Sequence, residues 1–442
     1  MIKFFFIVLI SVFSGGSLFS QTDEKGGEES YPFIVDSILV SGNDITEEFI
    51  ILRELTFTEG DTISFETADY NRERIYSLGI FNQVTLEPNT YNDLNILNIV
   101  VEESWYIYPI PFINIKESDW DKISFGMFLV LKNFRGRNET LSAVAGFGYD
   151  PTFGLSYYNP NMIGNEDIFF FTRMSYSDVS NKSLIAEQLA LGNFDQKVIT
   201  GNVEIGRRFF LFHKLALNLG FSYIESPFYI DRINASFERI DRVFTLSTGY
   251  QYDTRDLVQF PKSGFYTNVS YILKGMGING INYNVARVDL RTYNRLIEKL
   301  HFKMRFTSRF TLGNRIPLYD NSIIGLEDKI RGFFNYKIEG NHSYLTSAEL
   351  YYPIIEELKI NLEFIPIIPK QLLSYRVALY AQIFADAGAT QNSEASIGLN
   401  NFKSGYGAGL TVLILPHYVA RIEYAINELR KPEIILDIGT SF

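Results

Sequence analysis

The sequence predicts a small α+β domain of order βααββ followed by an all-β transmembrane barrel of roughly 16 antiparallel strands. Three observations carry this reading. An apolar leader opens the chain, long stretches beyond residue 105 alternate apolar with polar residues, and the alternation runs to a terminal Phe442.

Lys3 supplies a positive charge, Phe4–Phe13 is an apolar run, and residues 14–20 are small or weakly polar. This is the pattern of a secretory signal peptide over residues 1–20, cleaved between Ser20 and Gln21. The run is too short for an anchoring helix, which needs about 20 apolar residues. No later segment offers such a stretch either. The polar residues 21–31 read as a flexible linker.

Composition excludes several function classes. The 442 residues carry a net charge of −11, from 40 Lys and Arg against 51 Asp and Glu. The basic footprint of a nucleic-acid binder is missing. The absence of cysteine removes disulfide scaffolds, thiol chemistry, Cys-ligated metals and a lipid on an N-terminal Cys. His213, His301, His342 and His417 lie far apart, so no metal site is expected. The chain has no Gly-x-Ser-x-Gly elbow, His-Glu-x-x-His zinc helix or phosphate loop, and it is read as a non-enzyme without a cofactor. The acidic pairs Glu102-Glu103 and Glu356-Glu357 read as solvated strand-end or loop residues.

Residues 32–104 form the first folded unit. Ile34–Val40 predicts a strand closed by the turn-forming Ser41-Gly42-Asn43. Asp44 and Glu47 have capping-box spacing ahead of a helix whose expected face is Ile45, Phe49 and Leu52. Gly60-Asp61 breaks that helix. Ser64 can cap a second one lined by Ala68, Ile75 and Leu78, with Gly79 at its C-terminal end. Phe81–Glu87 and Leu94–Glu102 predict the last two strands.

This order resembles a POTRA (polypeptide-transport-associated) domain. The matching landmarks are Gly42-Asn43, Arg53-Glu54, Gly60, Leu78-Gly79-Ile80-Phe81 and Ile99-Val100-Val101-Glu102-Glu103. An open sheet edge of such a domain can accept an extended client strand through backbone hydrogen bonds.

Residues 105–442 repeat a period of two. Leu141, Ala143, Ala145, Phe147 and Tyr149 alternate with small or polar residues, Val144 excepted. Leu215, Leu217, Leu219, Phe221 and Tyr223 do the same. Phe302, Met304, Phe306 and Phe310 alternate with His301, Lys303, Arg305, Thr307 and Arg309. Many such segments, together with 38 Phe and 28 Tyr, favour a membrane barrel with interfacial aromatic girdles over a soluble sandwich. A sheet in lipid must close on itself, because each backbone group has to be paired. The first strand is expected within Trp105–Ile115 and the last at Ile434–Phe442, and these two would meet at a seam. In the last strand Ile434, Leu436, Ile438, Thr440 and Phe442 share one face, which resembles the C-terminal signal of outer-membrane barrels.

Further motifs resemble the BamA/TamA-type outer-membrane assembly-factor superfamily, which joins POTRA domains to a barrel of about 16 strands. Ile330-Arg331-Gly332-Phe333 is similar to that family's lumen-loop signature, and residues 347–353 (Ser347 to Pro353) are similar to the strand behind it. Phe384-Ala385-Asp386-Ala387-Gly388 resembles the strand whose aspartate pairs with the loop arginine. Asp253-Thr254-Arg255-Asp256, with Pro261 and Gly264, and Asn133-Phe134-Arg135-Gly136-Arg137-Asn138 fit the same family. Parity agrees: Val377, Leu379, Ala381, Ile383 and Ala385 form an apolar face, so Arg376, Tyr380, Gln382 and Asp386 point into the lumen. The resemblance implies that Arg331 pairs with Asp386, with Glu349 a second partner, and pins the loop inside the barrel.

The implied protein sits in the bacterial outer membrane with its POTRA-like domain in the periplasm. It takes unfolded outer-membrane or secreted clients by its POTRA-like domain and inserts or translocates them through the barrel, with outer-membrane lipids and accessory lipoproteins as further partners. Only one POTRA-like domain fits before Trp105, which leaves room for a dedicated translocator. The alternative is a passive channel or lipid-handling barrel, with the POTRA-like domain as a scaffold.

Overall fold

The computed structural model describes residues 30–115, 122–326, 328–334, 336–361, 369–392, 397–416 and 418–439. The expected leader at 1–20, residues 21–29 of the linker, His417, and Thr440 and Phe442 of the terminal signal lie outside these residues.

The N-terminal unit is built from β1 (Phe33–Ile34), β2 (Ser37–Ser41), α1 (Glu48–Leu52), β3 (Thr62–Ile63), α2 (Phe65–Tyr76), β4 (Phe81–Tyr91) and β5 (Leu94–Glu103). Its sheet has the order β2-β5-β4, with β2 parallel and β4 antiparallel to β5. The expected first strand is split in two by Val35 and Asp36, and β1 pairs instead with β3. Ser64 caps α2 as anticipated, its hydroxyl accepting from Thr67 N at 3.2 Å.

The capping box at α1 does not form. Glu47 sits at the N-cap but makes no side-chain cap bond. Its carboxylate reaches Arg137 at 2.6 Å, while the N–H groups of Ile45 and Thr46 donate to Glu103. The face also differs from the expected one. Ile50 and Ile51 are buried, whereas Ile45 and Phe49 are exposed. A five-residue helix has too few internal bonds to dictate its own orientation, so tertiary contacts set it.

The remainder is one antiparallel sheet of 16 strands. The first half comprises β6 (Ile107–Ile115), β7 (Ile123–Phe134), β8 (Glu139–Gly148), β9 (Thr152–Asn159), β10 (Ile168–Ser180), β11 (Asp195–Phe209), β12 (His213–Glu225) and β13 (Ile240–Asp253). The second half comprises β14 (Gly264–Lys274), β15 (Tyr283–Ile297), β16 (Leu300–Gly313), β19 (His342–Asn361), β20 (Ser374–Gln391), β21 (Lys403–Leu415), β22 (Tyr418–Asn427) and β23 (Pro432–Ile438). Two short strands, β17 (Ser322–Ile324) and β18 (Ile338–Gly340), form a hairpin within the long connection from β16 to β19. Each barrel strand pairs with its neighbour in the chain, in registers that keep the two faces distinct. Along β12, Leu215, Leu217 and Leu219 are exposed outward, while Asn218 on the other face reaches Glu204 at 3.4 Å. An apolar exterior and a polar interior are what lipid outside and water inside require.

The join between the two units is short. Ser104 N still donates to Ile80 of the small domain, and the carbonyl of Tyr106 already accepts from Lys132 N in β7, leaving Trp105 between them.

Leu219→Arg places a charge on the lipid face and is expected to cost about 2–4 kcal/mol at the bilayer midplane. Asn218→Arg, one residue away on the lumen face, is expected to cost much less. Guanidinium unfolding of the two variants in lipid vesicles compares them directly.

Candidate functional site

The connection between β16 and β19 folds back into the barrel at residues 330–334. Arg331 lies there with only 5% of its surface exposed. Its Nε and Nη2 donate to the two oxygens of Asp386 at 2.7 and 2.6 Å, a bidentate pair, and its backbone N–H donates to the same carboxylate at 3.0 Å. Its Nη1 reaches Glu349 at 2.5 Å and Glu423 at 3.1 Å. The guanidinium also lies over the ring of Phe384, 3.7 Å from the centroid.

One arginine facing three buried carboxylates would leave excess negative charge. Lys303, 2.7 Å from Glu349, and Arg421, 3.9 Å from Glu423, offset much of it, although Arg421 lies closer to the partly exposed Asp437 of β23. Gln382 donates to Glu423 at 2.7 Å and accepts from Thr411. Parity places Arg376, Tyr380, Gln382 and Asp386 on one face of β20, and all four are buried on the inner side.

Gly332 adopts φ +93°, and its carbonyl accepts from Asn427 of β22. Phe333 is buried against Ile324, Ile330 and Leu345. Phe334 N donates to Glu433 of β23 at 3.0 Å. A Cβ on Gly405 of β21 would lie 1.8 Å from the Arg331 carbonyl, so only glycine lets the loop approach this closely. The loop thus touches β19, β20, β21, β22 and β23.

Glu423, Lys303 and Gly405 are members of this cluster that were not singled out from sequence. A signal existed for the first: Arg421, Glu423 and Asn427 share a parity in β22 opposite to Ile422 and Tyr424. Of the terminal-strand residues, Ile434, Leu436 and Ile438 are exposed on the outer face of β23.

A second polar cluster lies where the small domain covers the near mouth of the barrel. Arg376 of β20 grips Glu73 of α2 with two bonds of 2.7 and 2.6 Å. Arg72 lies 2.9 Å from Glu73, and Glu357 lies 3.2 Å from Arg376 and 3.4 Å from Arg72. Glu357 is therefore a bridging residue, not the solvated acid expected from sequence. Nearby, Glu54 joins Arg74 at 2.8 Å to Arg208 of β11 at 2.6 Å, and Arg53 meets Asp167 at 2.7 Å. Apolar packing accompanies these bonds: Ile75, Tyr76, Ile80 and Phe81 share one buried cluster with Leu257, Phe260, Tyr351 and Tyr380.

Both remaining sequence motifs are turns that receive this domain. In residues 133–138, Gly136 O accepts from Glu47 N at 2.8 Å and Asn133 donates to the Thr46 hydroxyl. A Cβ on Gly136 would lie 2.1 Å from the Ile45 carbonyl. In the 253–264 turn, the carbonyls of Thr254 and Asp256 accept from the Tyr70 and Ser77 hydroxyls.

Burial alone would raise the Glu73 carboxyl, but the Arg376 and Arg72 guanidiniums outweigh it and hold it down to about 2. Burial pushes the Asp256 carboxyl the other way, up to about 6.

An outer-membrane β-barrel with a POTRA domain at its periplasmic mouth is the class these features define. Residues 133–442 match the Omp85 superfamily domain, and residues 33–104 match the POTRA family described as surface antigen variable number repeat. The chain belongs to the Omp85 superfamily. Among solved structures it is similar to BamA from Haemophilus ducreyi lacking POTRA domains 1–3, at 17% identity and a TM-score of 0.54, covering 92% of this chain and 83% of that one. CdiB from Escherichia coli matches at 13% identity and a TM-score of 0.53, covering 95% of this chain and 78% of that one. Among the described residues, no helix is long and apolar enough to cross a membrane.

Two predictions follow from these clusters. Arg331→Ala leaves three carboxylates short of a cation and is expected to cost about 3–5 kcal/mol of loop anchoring. Gly405→Ala should displace the same loop by pushing on the Arg331 carbonyl while removing no charged group. In both variants, limited proteolysis between residues 326 and 337 should become rapid.

The second concerns pH. Glu73 has a folded value of about 2, below its ordinary 4.5, so its contribution is full above 4.5 and is lost as the pH falls toward 2. Asp256 acts in the opposite sense, disfavouring the docked state as the pH rises from 3.8 to about 6. POTRA docking is therefore expected to loosen below about pH 4.5, and Glu73→Gln should flatten that acid limb. Distances between spin labels on α2 and on the β11–β12 turn report it.

Proposed function

We propose that this protein inserts or translocates other polypeptides at the outer membrane, without chemical catalysis. The observation that carries the reading is a POTRA domain with an open sheet edge at β2, docked on an Omp85 barrel through its helices. The edge strand β2 has β5 on one side only, and the N–H of Ile38 is occupied by the Glu59 carboxylate at 3.1 Å. An extended client adding to β2 would replace that side chain with its own carbonyl, recognising little beyond the backbone.

Within the barrel, Arg331 with Asp386, Glu349 and Glu423 acts as the anchor of the lumen loop. The seam lies between β6 and β23, with Ile434, Leu436 and Ile438, continued by Thr440 and Phe442, as the terminal assembly strand. The partners are unfolded outer-membrane or secreted proteins, with the bilayer lipids and accessory lipoproteins around them. The similarity to BamA and CdiB supports this class of role.

The test is reconstitution in liposomes with a urea-denatured outer-membrane barrel as client. Protease protection of the client should require this chain and should fall at least tenfold when residues 31–103 are deleted. A conductance that persists unchanged after that deletion, with no client protection in the intact protein, would instead identify a passive channel. An Arg331→Ala variant that assembles and transports normally would refute the anchoring role.

A further inference from the structure

The inner side of the wall carries its charge unevenly. On β15 and β16 the side chains of Leu290, Met304 and Phe306 are exposed outward, so the odd-numbered residues of both strands face the lumen. The register sets Arg287 opposite Arg309, Arg291 opposite Arg305, Arg295 opposite His301 and Tyr293 opposite Lys303. Among the described residues of these two inner faces, Asp289 is the one acid. Like charges directly opposite one another destabilise a ladder, and the chain as a whole is acidic, with a net charge of −11. The fold therefore bears a cost to keep positive charge in a row here.

The row runs along most of the wall. At the POTRA end His301 pairs with Tyr351, a member of the apolar cluster that holds the small domain. From Arg295 to Arg287 is about 27 Å along β15, at ~3.4 Å per residue. At the far end a cavity of about 490 Å³ opens beside the row, lined by Arg287, Arg305, Arg309 and Thr307, and by Lys182 from the connection after β10. Arg287, Arg295 and Lys182 have no acidic partner among the described residues.

Part of the row is already occupied. The connection from β16 to β19 sends Asp320 to Arg309 at 2.5 Å and Asp328 to Arg305 at 3.0 Å. Arg309 also donates to the Asp320 carbonyl at 2.7 Å, so it holds backbone as well as carboxylate. Arg305 and Arg291 share Asp289 at 2.8 and 2.7 Å. The occupant on display is thus a stretch of polypeptide with carboxylates spaced along it.

Resting on the function proposed above, we propose that the inner face of β15 and β16 is a track for acidic segments of an extended client, and that Asp320 and Asp328 hold its place in the resting protein. An arriving segment exchanges its carboxylates for those of the loop one at a time, so no guanidinium loses its anion during passage. Arg331, bound to Asp386 and Glu423, keeps the loop anchored while the two aspartates yield. Arg295 at one end, and Arg287 and Lys182 at the other, supply the first contacts. Guanidiniums suit this task, because their planar donors take carboxylates side-on and their charge is permanent. Basic segments are repelled by the same row.

The test uses full-length protein in detergent micelles and fluorescent peptides of alternating Glu-Ser, Gln-Ser or Lys-Ser, read by anisotropy. The Glu peptide should bind at least tenfold more tightly than the Gln peptide, and added salt should weaken that complex. The Lys peptide should not bind. Replacing the two unpartnered arginines (R287Q with R295Q) should weaken binding at least fivefold. Freeing the row (D320N with D328N) should tighten it at least threefold, a gain that a purely structural role for the aspartates does not give. The chain has no cysteine, so Thr307→Cys should form a disulfide with a cysteine-bearing Glu peptide, whereas Leu290→Cys on the lipid face should not. Equal binding of Glu and Gln peptides, indifference to the arginine pair, or unchanged or looser binding in the aspartate pair would overturn the inference. If the aspartate variant does not fold, the arginine pair and the Thr307 crosslink decide alone. In liposomes, protection of a client should fall at least tenfold when its Asp and Glu residues are changed to Asn and Gln. Protection indifferent to client charge would overturn the inference and leave the proposed function standing. No protection of any client, with the Glu peptide still bound, would instead remove the proposed function and the client assignment with it.

Discussion

The chain's architecture depends on a single demand of hydrocarbon: a backbone N–H or C=O placed there must find a partner in the protein. Sixteen strands paired neighbour to neighbour meet that demand along the wall from β6 to β23. Once they do, side chains divide by parity. Leu215, Leu217 and Leu219 go to lipid, while Arg305, Arg309, Asp386 and Glu423 go inside. The interior charges follow from that division, because only a water-accessible lumen tolerates so many of them.

Charges that leave water must then neutralise one another. Two places in the molecule do this at close quarters. At the loop, Asp386, Glu349 and Glu423, with Asp437 at the edge of the cluster, face Arg331, Lys303 and Arg421, drawn from β16, β19, β20, β22, β23 and the loop itself. At the periplasmic mouth, Glu73 and Glu357 are balanced by Arg72 and Arg376. Buried ion pairs contribute little net stability compared with well-packed apolar residues, but they are costly to break on one side only. That asymmetry makes them suited to holding two parts in one defined arrangement. The loop and the POTRA domain are the two parts held.

The barrel and the βααββ order leave local traces in the sequence, whereas the Arg331–Asp386 pairing is implied by the resemblance of residues 330–333 and 384–388 to a family signature, with parity in agreement. Strands alternate, Ser64 stands at a cap, and Asp386 shares a parity with Gln382 and Arg376. The details that escaped depend on residues far apart in the chain. Glu47 looked like half of a capping box, yet Arg137, 90 residues away, takes its carboxylate. Arg376 was read as lumen-facing, but nothing near it in sequence announces Glu73, 303 residues distant. Glu423 has the lumen-facing parity, but no motif surrounds it to set it apart. Local periodicity reports which face a residue occupies, whereas the choice of partner is settled by how the whole sheet and the small domain come together.

The single residue between the small domain and the wall has a mechanical consequence. Ser104 is still bonded to Ile80 and Tyr106 is already bonded to Lys132, so Trp105 is the sole unit of slack. The POTRA domain cannot drift away from the barrel as a body on a leash would. Any displacement is a swing about that fulcrum, and its torque is delivered to the base of the adjoining proline-bearing strand.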